Sequence, residues 1–291
     1  MTILVTGSTG VIGSQVVARL AEKGAKVHAL ARSPEKAKFP QGVTPVKGDL
    51  MDIGAVRSAI SQASTLFLLN TVTPDELTQA LLTLSLAREA GIERIVYFSV
   101  FNSGLFTDVP HFTGKYTVER MIEDCNLPAD ILRPNYFMQN DLALKDALIG
   151  NGVYPQPIGS KGTSMIDTRD IAEAAALCLL KRENSTEPLP RETIELAGPD
   201  ALTGAAIAGI WAQVLGREIR YGGDDLAEFE KRIAAFVPGW MARDILLMYR
   251  RFHKNGMAAQ PADVEQLTGL LGHAPRSYRD FAAETAKGWQ S

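Results

Sequence analysis

Residues 1–13 read MTILVTGSTGVIG. Ile3, Leu4 and Val5 form a short apolar run of the kind buried on both faces of a parallel sheet. Gly7, Gly10 and Gly13 follow, then SQVVARLAEKG, in which Val16, Val17 and Leu20 recur at helical spacing and Gly24 is a stop signal. The reading is strand, glycine turn and helix, the front half of a βαβ unit. The start of such a helix offers free N–H groups and the positive end of its dipole to an anion. The glycines there have separate uses: a tight turn, close backbone approach to a pyrophosphate, and close helix–strand packing. The spacing is GxxGxxG rather than GxGxxG, so the context has to decide between a phosphate cradle and a turn that merely needs small residues. A second strand follows at once in Lys26 to Ala31, KVHALA. That context favours a dinucleotide cradle made by Gly7, Ser8, Thr9, Gly10, Val11, Ile12 and Gly13.

Outward from this unit the alternation continues. Arg32 follows the second strand, where an acid suits a ribose 2′-OH and an arginine suits a 2′-phosphate. Arg32 therefore tilts the expected cofactor toward NADP(H), with NAD(H) still open; a solvated loop arginine is the alternative. Val43 to Val46 reads as a third strand, followed by Gly48-Asp49-Leu50-Met51-Asp52. Asp49, with Leu50 beside it, is placed to accept from an adenine amino group, whereas Asp52 is better read as the cap of the helix IGAVRSAI. Thr65 to Asn70, TLFLLN, is a continuous apolar run and hence a central strand, and its end puts Asn70 and Thr71 beside a cofactor's ribose and phosphates. A helix from Glu76 to Ala90 and a fifth strand from Ile95 to Val100 follow. Repeated strand–helix alternation over this length specifies an α/β fold with a doubly wound parallel sheet, a Rossmann arrangement.

The totals exclude several classes. Thirty basic against thirty-three acidic side chains give a net charge of −3, with no footprint for nucleic acid. No apolar run approaches the roughly 18 residues of a membrane span, and the chain enters its first strand without room for a signal peptide. Cys125 and Cys178 are far apart in apolar helical contexts and read as buried thiols in a cytoplasmic protein; no metal spacing exists.

After the fifth strand come Ser99, Val100, Phe101 and Asn102, a polar loop, and HFTGKYTVERMIEDCNLPADILRPNYFMQN. Val118, Ile122 and Cys125 are spaced as a buried helix stripe. His111 and Lys115 share a face if the helix reaches back to His111. Ile131 and Leu132 begin another strand, which Pro134 closes. TGSTGVIG, Arg32, the Gly48–Leu50 GDL, Ser99 at a strand end, Lys115 with Glu119, LRPNYFMQN, IDTRDIAEAA from Ile166 and LAGPDALT from Leu196 together resemble the NmrA-like branch of the atypical short-chain dehydrogenases/reductases. The resemblance runs in order through about residue 205. It implies a NADPH-dependent reductase in which Lys115 holds the nicotinamide ribose and Ser99 and His111 are candidates for proton handling. His111 stands where dehydrogenases of the wider superfamily carry tyrosine in YxxxK. That departure disfavours ordinary alcohol–ketone chemistry and points to a quinone-, imine-, dye- or carbonyl-class acceptor. Some NmrA-like proteins resemble sensors that bind the dinucleotide without turnover, which is the alternative reading. For His111 a structural imidazole stays open, and for Lys115 a surface lysine paired with Glu119.

Asn135, Tyr136, Phe137, Met138 and Asn140 follow a strand's carboxyl end, where open α/β sheets bind ligands. Tyr136 and Phe137 are candidate cofactor contacts. Phe101, Asn102, Met138 and Asn140 are candidate substrate contacts, although the same cluster can be core beneath a second lobe. Thr163 to Asp167, TSMID, reads as a strand leading to a helix from Ile171 to Leu180, with Asp170 as its cap or anchor. The remainder reads as mostly helical, with Trp240 a candidate for the far wall of a substrate pocket. The expected organisation is a Rossmann core over residues 1–150, completed by segments within 151–205, and a smaller, mainly helical substrate or partner lobe within 151–291. A small-molecule substrate, no nucleic-acid or membrane partner, and a monomer or homodimer are expected.

Overall fold

The computed structural model describes residues 1–290. The chain divides into two compact units and crosses between them repeatedly. The first comprises Met1–Ser103, Thr113–Arg133 and Thr168–Ile194; the second comprises Gly104–Phe112, Pro134–Asp167 and, of the described residues, 195–290.

The first unit is built on strands β1 (Ile3–Val5), β2 (Val27–Ala31), β3 (Val43–Lys47), β4 (Thr65–Leu68), β5 (Ile95–Phe98), β6 (Ala129–Pro134) and, later in the chain, β8 (Glu192–Leu196). Their order in the sheet is β3-β2-β1-β4-β5-β6-β8. The pairings from β3 through β6 are all parallel, with Val5 opposite Ala29 on one side and Phe67 on the other. Every residue of β1, β4 and β5 is buried, as continuous apolar runs demand when helices cover both faces. Chain order reverses between β1 and β4, which makes that crevice the topological switch point of the sheet.

Helices α1 (Val11–Glu22) and α5 (Thr168–Glu183) pair with each other, joined by Arg19 to Glu173 at 3.3 Å and by Gln15 Nε2 donating to Thr168 Oγ1 at 3.1 Å. Helices α2 (Ile53–Ile60), α3 (Glu76–Glu89) and α4 (Pro110–Asp124) contribute Val56, Leu84, Val118 and Ile122 to a core with Leu4, Leu66, Tyr97 and Ile131 of the strands. Asp52 caps α2, accepting from the Ala55 N–H at 3.0 Å, as its position before the helix predicts. β6 starts earlier than its apolar pair suggests and takes in Asp130, whose buried carboxylate is met by Arg182 at 2.6 Å. Cys178 is buried, but Cys125 is only half-buried and accepts from Arg88.

The second unit holds the two-residue parallel pair β7 (Val153–Tyr154) and β9 (Arg220–Tyr221) and helices α6 (Gly204–Leu215), α7 (Leu226–Ile233), α8 (Gly239–Asn255), α9 (Pro261–Leu271) and α10 (Tyr278–Gln290). TSMID is not a continuous strand. Thr163 exchanges hydrogen bonds with Leu202, Ser164 donates to Met257 O, and Ile166 donates to Tyr136 O, so three neighbours are met in turn and no ladder forms. Among the described residues no helix is long and apolar enough to cross a membrane.

Candidate functional site

The turn between β1 and α1 is clamped from both sides at the switch point. Thr6 Oγ1 donates to Leu69 O at 2.9 Å and accepts from the Leu69 N–H at 2.8 Å, and Ser8 Oγ donates to Leu30 O at 2.7 Å. The three glycines differ in what requires them. Gly7 has φ +59°, and a Cβ there would lie 2.8 Å from Leu69 O. A Cβ on Gly13 would lie 2.1 Å from Gly7 O, so only glycine lets the helix sit this close to the turn. Gly10 is another matter. It is exposed, its φ of −78° and ψ of 173° are open to any residue, and a Cβ would meet only Gly7 O at 3.4 Å. Among the described residues nothing demands glycine at position 10. What a side chain there would occupy is the space in front of the α1 N-terminus, which has no side-chain cap and no acid in its first turn. Thr9 and Val11 are exposed beside it, whereas Ile12 is buried and holds the helix to the sheet. An uncapped helix start with a backbone kept bare in front of it is a fit for a phosphate group.

The neighbouring strand ends carry the other candidates. Arg32 is exposed immediately after β2 and makes no hydrogen bond or ion pair among the described residues. Its charge helps, after hydrogen bonds from Gln79 and Thr73, to hold the Asp75 carboxyl below its usual value. Asp49 follows β3, one carboxylate oxygen accepting from the Met51 N–H at 2.9 Å; Leu50 packs against the core. Past β4, Asn70 is buried with its amide donating to Gln79 Oε1 at 3.3 Å, while its Oδ1 has no partner among the described residues, and Thr71 is exposed. A buried acceptor without a donor is costly. Beside the glycine turn it is a fit for a ligand's hydroxyl.

At the end of β5, Ser99 donates its hydroxyl to Glu119 of α4. Glu119 has no solvent exposure and also accepts from Ser103 Oγ at 3.1 Å and from Arg133 at 2.7 Å and 3.0 Å. Lys115 therefore does not pair with Glu119; its Nζ lies 2.7 Å from Glu76 Oε1 and 3.3 Å from Phe98 O. Sequence reading missed Glu76 altogether, because an acid in the first turn of a helix needs no partner to account for it. Phe101 is buried in this unit, and Asn102 beside it is half-buried with φ +58°.

In the second unit, His111 is in the first turn of α4 and is bound to Asp244 of α8. The Asp244 carboxylate accepts from the His111 backbone N–H at 3.3 Å and holds ring Nδ1, and Asp244 itself is 3% exposed. With Nδ1–H given to Asp244, Nε2 carries a lone pair on the neutral ring and a proton on the imidazolium, so the pair orients a proton-handling nitrogen. Tyr136 shares a hydrogen bond with Tyr249 at 3.0 Å, and burial raises its phenol's pKa. Phe137 is half-buried, Met138 is fully buried against Gly198, Asn140 is exposed, and Trp240 opens α8 at 41% exposure.

Sheet order, reversal point, clamped glycine turn and bare helix start define an α/β protein of the Rossmann class. More narrowly, the chain belongs to the NmrA-like family, which it matches over residues 1–281. It is 28% identical over 285 residues to an NAD(P)H azoreductase of Xenophilus azovorans, covering 96% of both chains. Its fold is that of the Escherichia coli NADPH-dependent quinone oxidoreductase QOR2 complexed with NADPH, at TM-score 0.85, 23% identity and full coverage of both chains. Triphenylmethane reductase of Citrobacter sp. has the same fold at TM-score 0.86 and 22% identity, over 99% of this chain and 100% of that one.

Proposed function

We propose that this protein is a NADPH-dependent reductase that passes hydride to a small or medium apolar acceptor of the quinone, azo, imine, dye or carbonyl class. The observation that carries the reading is Gly10, a glycine that the fold does not need in front of an uncapped helix start. Its support comes from the relatives' names, an NAD(P)H azoreductase and a quinone oxidoreductase. When bound, the dinucleotide supplies the hydride. Residues 7–13 bind its pyrophosphate, Arg32 receives a 2′-phosphate and disfavours the bare ribose of NADH, and Asp49, Asn70 and Thr71 take up adenine and ribose groups. Lys115 holds ribose hydroxyls. Tyr136, Phe137, Met138, Phe101, Asn102, Asn140 and Trp240 are the proposed nicotinamide and acceptor contacts.

The proton inventory shapes the acceptor class. The Ser99 hydroxyl is given to Glu119, which leaves the Asp244-oriented His111 as the proposed donor. Acceptors whose slow step needs no acid, quinones foremost, suit this arrangement best. The same engagement of Ser99 is what favours the second reading, a regulator that binds NADP(H) without turnover. NADPH oxidation followed against a panel of a quinone, an azo dye, an imine and an aldehyde separates the two. Turnover with the quinone or the azo dye supports the reductase, and binding without consumption across the panel refutes it.

A further inference from the structure

The buried pair of Lys115 and Glu76 asks for more than ribose binding alone explains. Lys115 is 6% exposed and Glu76 7% exposed. An ammonium and a carboxylate taken out of water together gain little over apolar residues of the same volume, so packing gives no reason for the pair. Nor does helix chemistry, since the acid one turn along from Lys115, Glu119, is committed to Ser99, Ser103 and Arg133. The carboxylate has instead been brought from the start of α3, which follows the carboxyl end of β4. The ammonium donates to the Phe98 carbonyl at the end of β5 at 3.3 Å, and Glu76 Oε1 stands 2.7 Å away as its ion-pair partner, without hydrogen-bond alignment. N–H capacity is left on the ammonium at the ligand-binding end of the sheet.

We propose that Glu76 is a positioning residue for the cofactor: it fixes the Lys115 ammonium so that the remaining N–H serves a ribose hydroxyl of the bound dinucleotide. The proposal rests on the dinucleotide reading above. Around Lys115 the charged and titratable groups are Glu76 from α3, Glu119 on its own helix, and Tyr97 from β5, whose phenol is kept protonated chiefly by burial and also by the charges of Glu76 and Glu119. Without the Glu76 carboxylate, the ammonium is held by the Phe98 carbonyl alone, and cofactor binding weakens through Lys115.

The test is NADPH affinity by fluorescence titration, with thermal unfolding alongside, for the wild type, Glu76→Gln, Glu76→Asp, Lys115→Met and Glu76→Gln/Lys115→Met. Glu76→Gln is expected to lose about tenfold, the value of one hydrogen bond to a charged group. Glu76→Asp keeps the charge but shortens the reach; it should lose less, and it carries the comparison with Lys115→Met if the glutamine variant does not fold. Lys115→Met and the double variant should bind NADPH equally, because Glu76 acts through Lys115 alone. A double variant whose loss is the product of the two single losses would mean that Glu76 acts apart from Lys115 and overturn the proposal, as would wild-type affinity in Glu76→Gln. Failure of the wild type itself to bind NADPH sinks the dinucleotide reading instead, so the two failures are told apart.

Discussion

Substituting Gly10 and Gly13 separately should split stability from binding, because the two glycines answer to different neighbours. A Cβ on Gly13 lies 2.1 Å from Gly7 O and 2.7 Å from Gly7 C, contacts that force the helix off the turn. Overpacking a well-filled site costs about 1–3 kcal/mol, and here the obstruction is backbone, so Gly13→Ala belongs at the upper end. For a chain of this size that corresponds to a fall in Tm of roughly 5–10 °C. Gly10→Val meets one ordinary contact at 3.4 Å in a backbone conformation open to any residue. Its stability change should stay within about 0.5 kcal/mol, the range of exposed substitutions. NADPH binding should nevertheless fall by about a hundredfold or more, because the isopropyl group fills the approach to the α1 amides and a lost charge-assisted contact alone is worth roughly 1.5–3 kcal/mol. Chemical unfolding and calorimetric titration read the two quantities independently. A folded Gly10→Val that binds NADPH as the wild type does would refute the assignment of the turn as the phosphate cradle.

Four further substitutions probe the remaining assignments. Arg32→Asp should reverse a preference for NADPH over NADH of about tenfold, read as the ratio of dissociation constants; equal wild-type affinities would remove the 2′-phosphate role. Lys115→Met should slow single-turnover NADPH oxidation about a hundredfold for every acceptor by loosening hydride geometry, whereas His111→Ala should be mild with a quinone and cost about a hundredfold or more with a carbonyl that needs an acid. Wild-type rates for Lys115→Met with both acceptors would contradict this. Asp141 has no exposure and accepts from Tyr154 and Tyr278, and burial pushes its pKa up to about 7. The folded protein thus holds this proton more tightly than the unfolded chain, so the stabilisation is complete below about pH 4 and is lost as pH rises toward and through 7. Asp141→Asn should flatten that part of the stability profile, and an unchanged slope in urea unfolding across the range would count against it.

Local chemistry was legible in the chain; long-range pairing was not. The strand–glycine–helix opening, the Asp52 cap and the alternation through β5 each follow from neighbours in sequence. The partners that define the candidate site do not. Asp244 meets His111 from α8, and Glu76 meets Lys115 from α3, each looking in sequence like one more surface acid. Arg133 reads as a strand-end charge until Glu119 is seen beneath it. TSMID has strand composition, but a ladder also needs one continuous neighbour, and it has three short ones. The two-residue pair of β7 and β9 is too brief to leave any periodic signal.

The most direct test of the reductase reading is a single turnover: wild-type protein mixed with one equivalent of NADPH and then with a quinone, following NADPH and hydroquinone together. The account predicts one hydroquinone formed for each NADPH consumed, at a rate that falls about a hundredfold in Lys115→Met. NADPH that binds tightly yet persists unoxidised beside quinone, azo dye, imine and carbonyl alike would contradict it and leave a dinucleotide-binding regulator in its place.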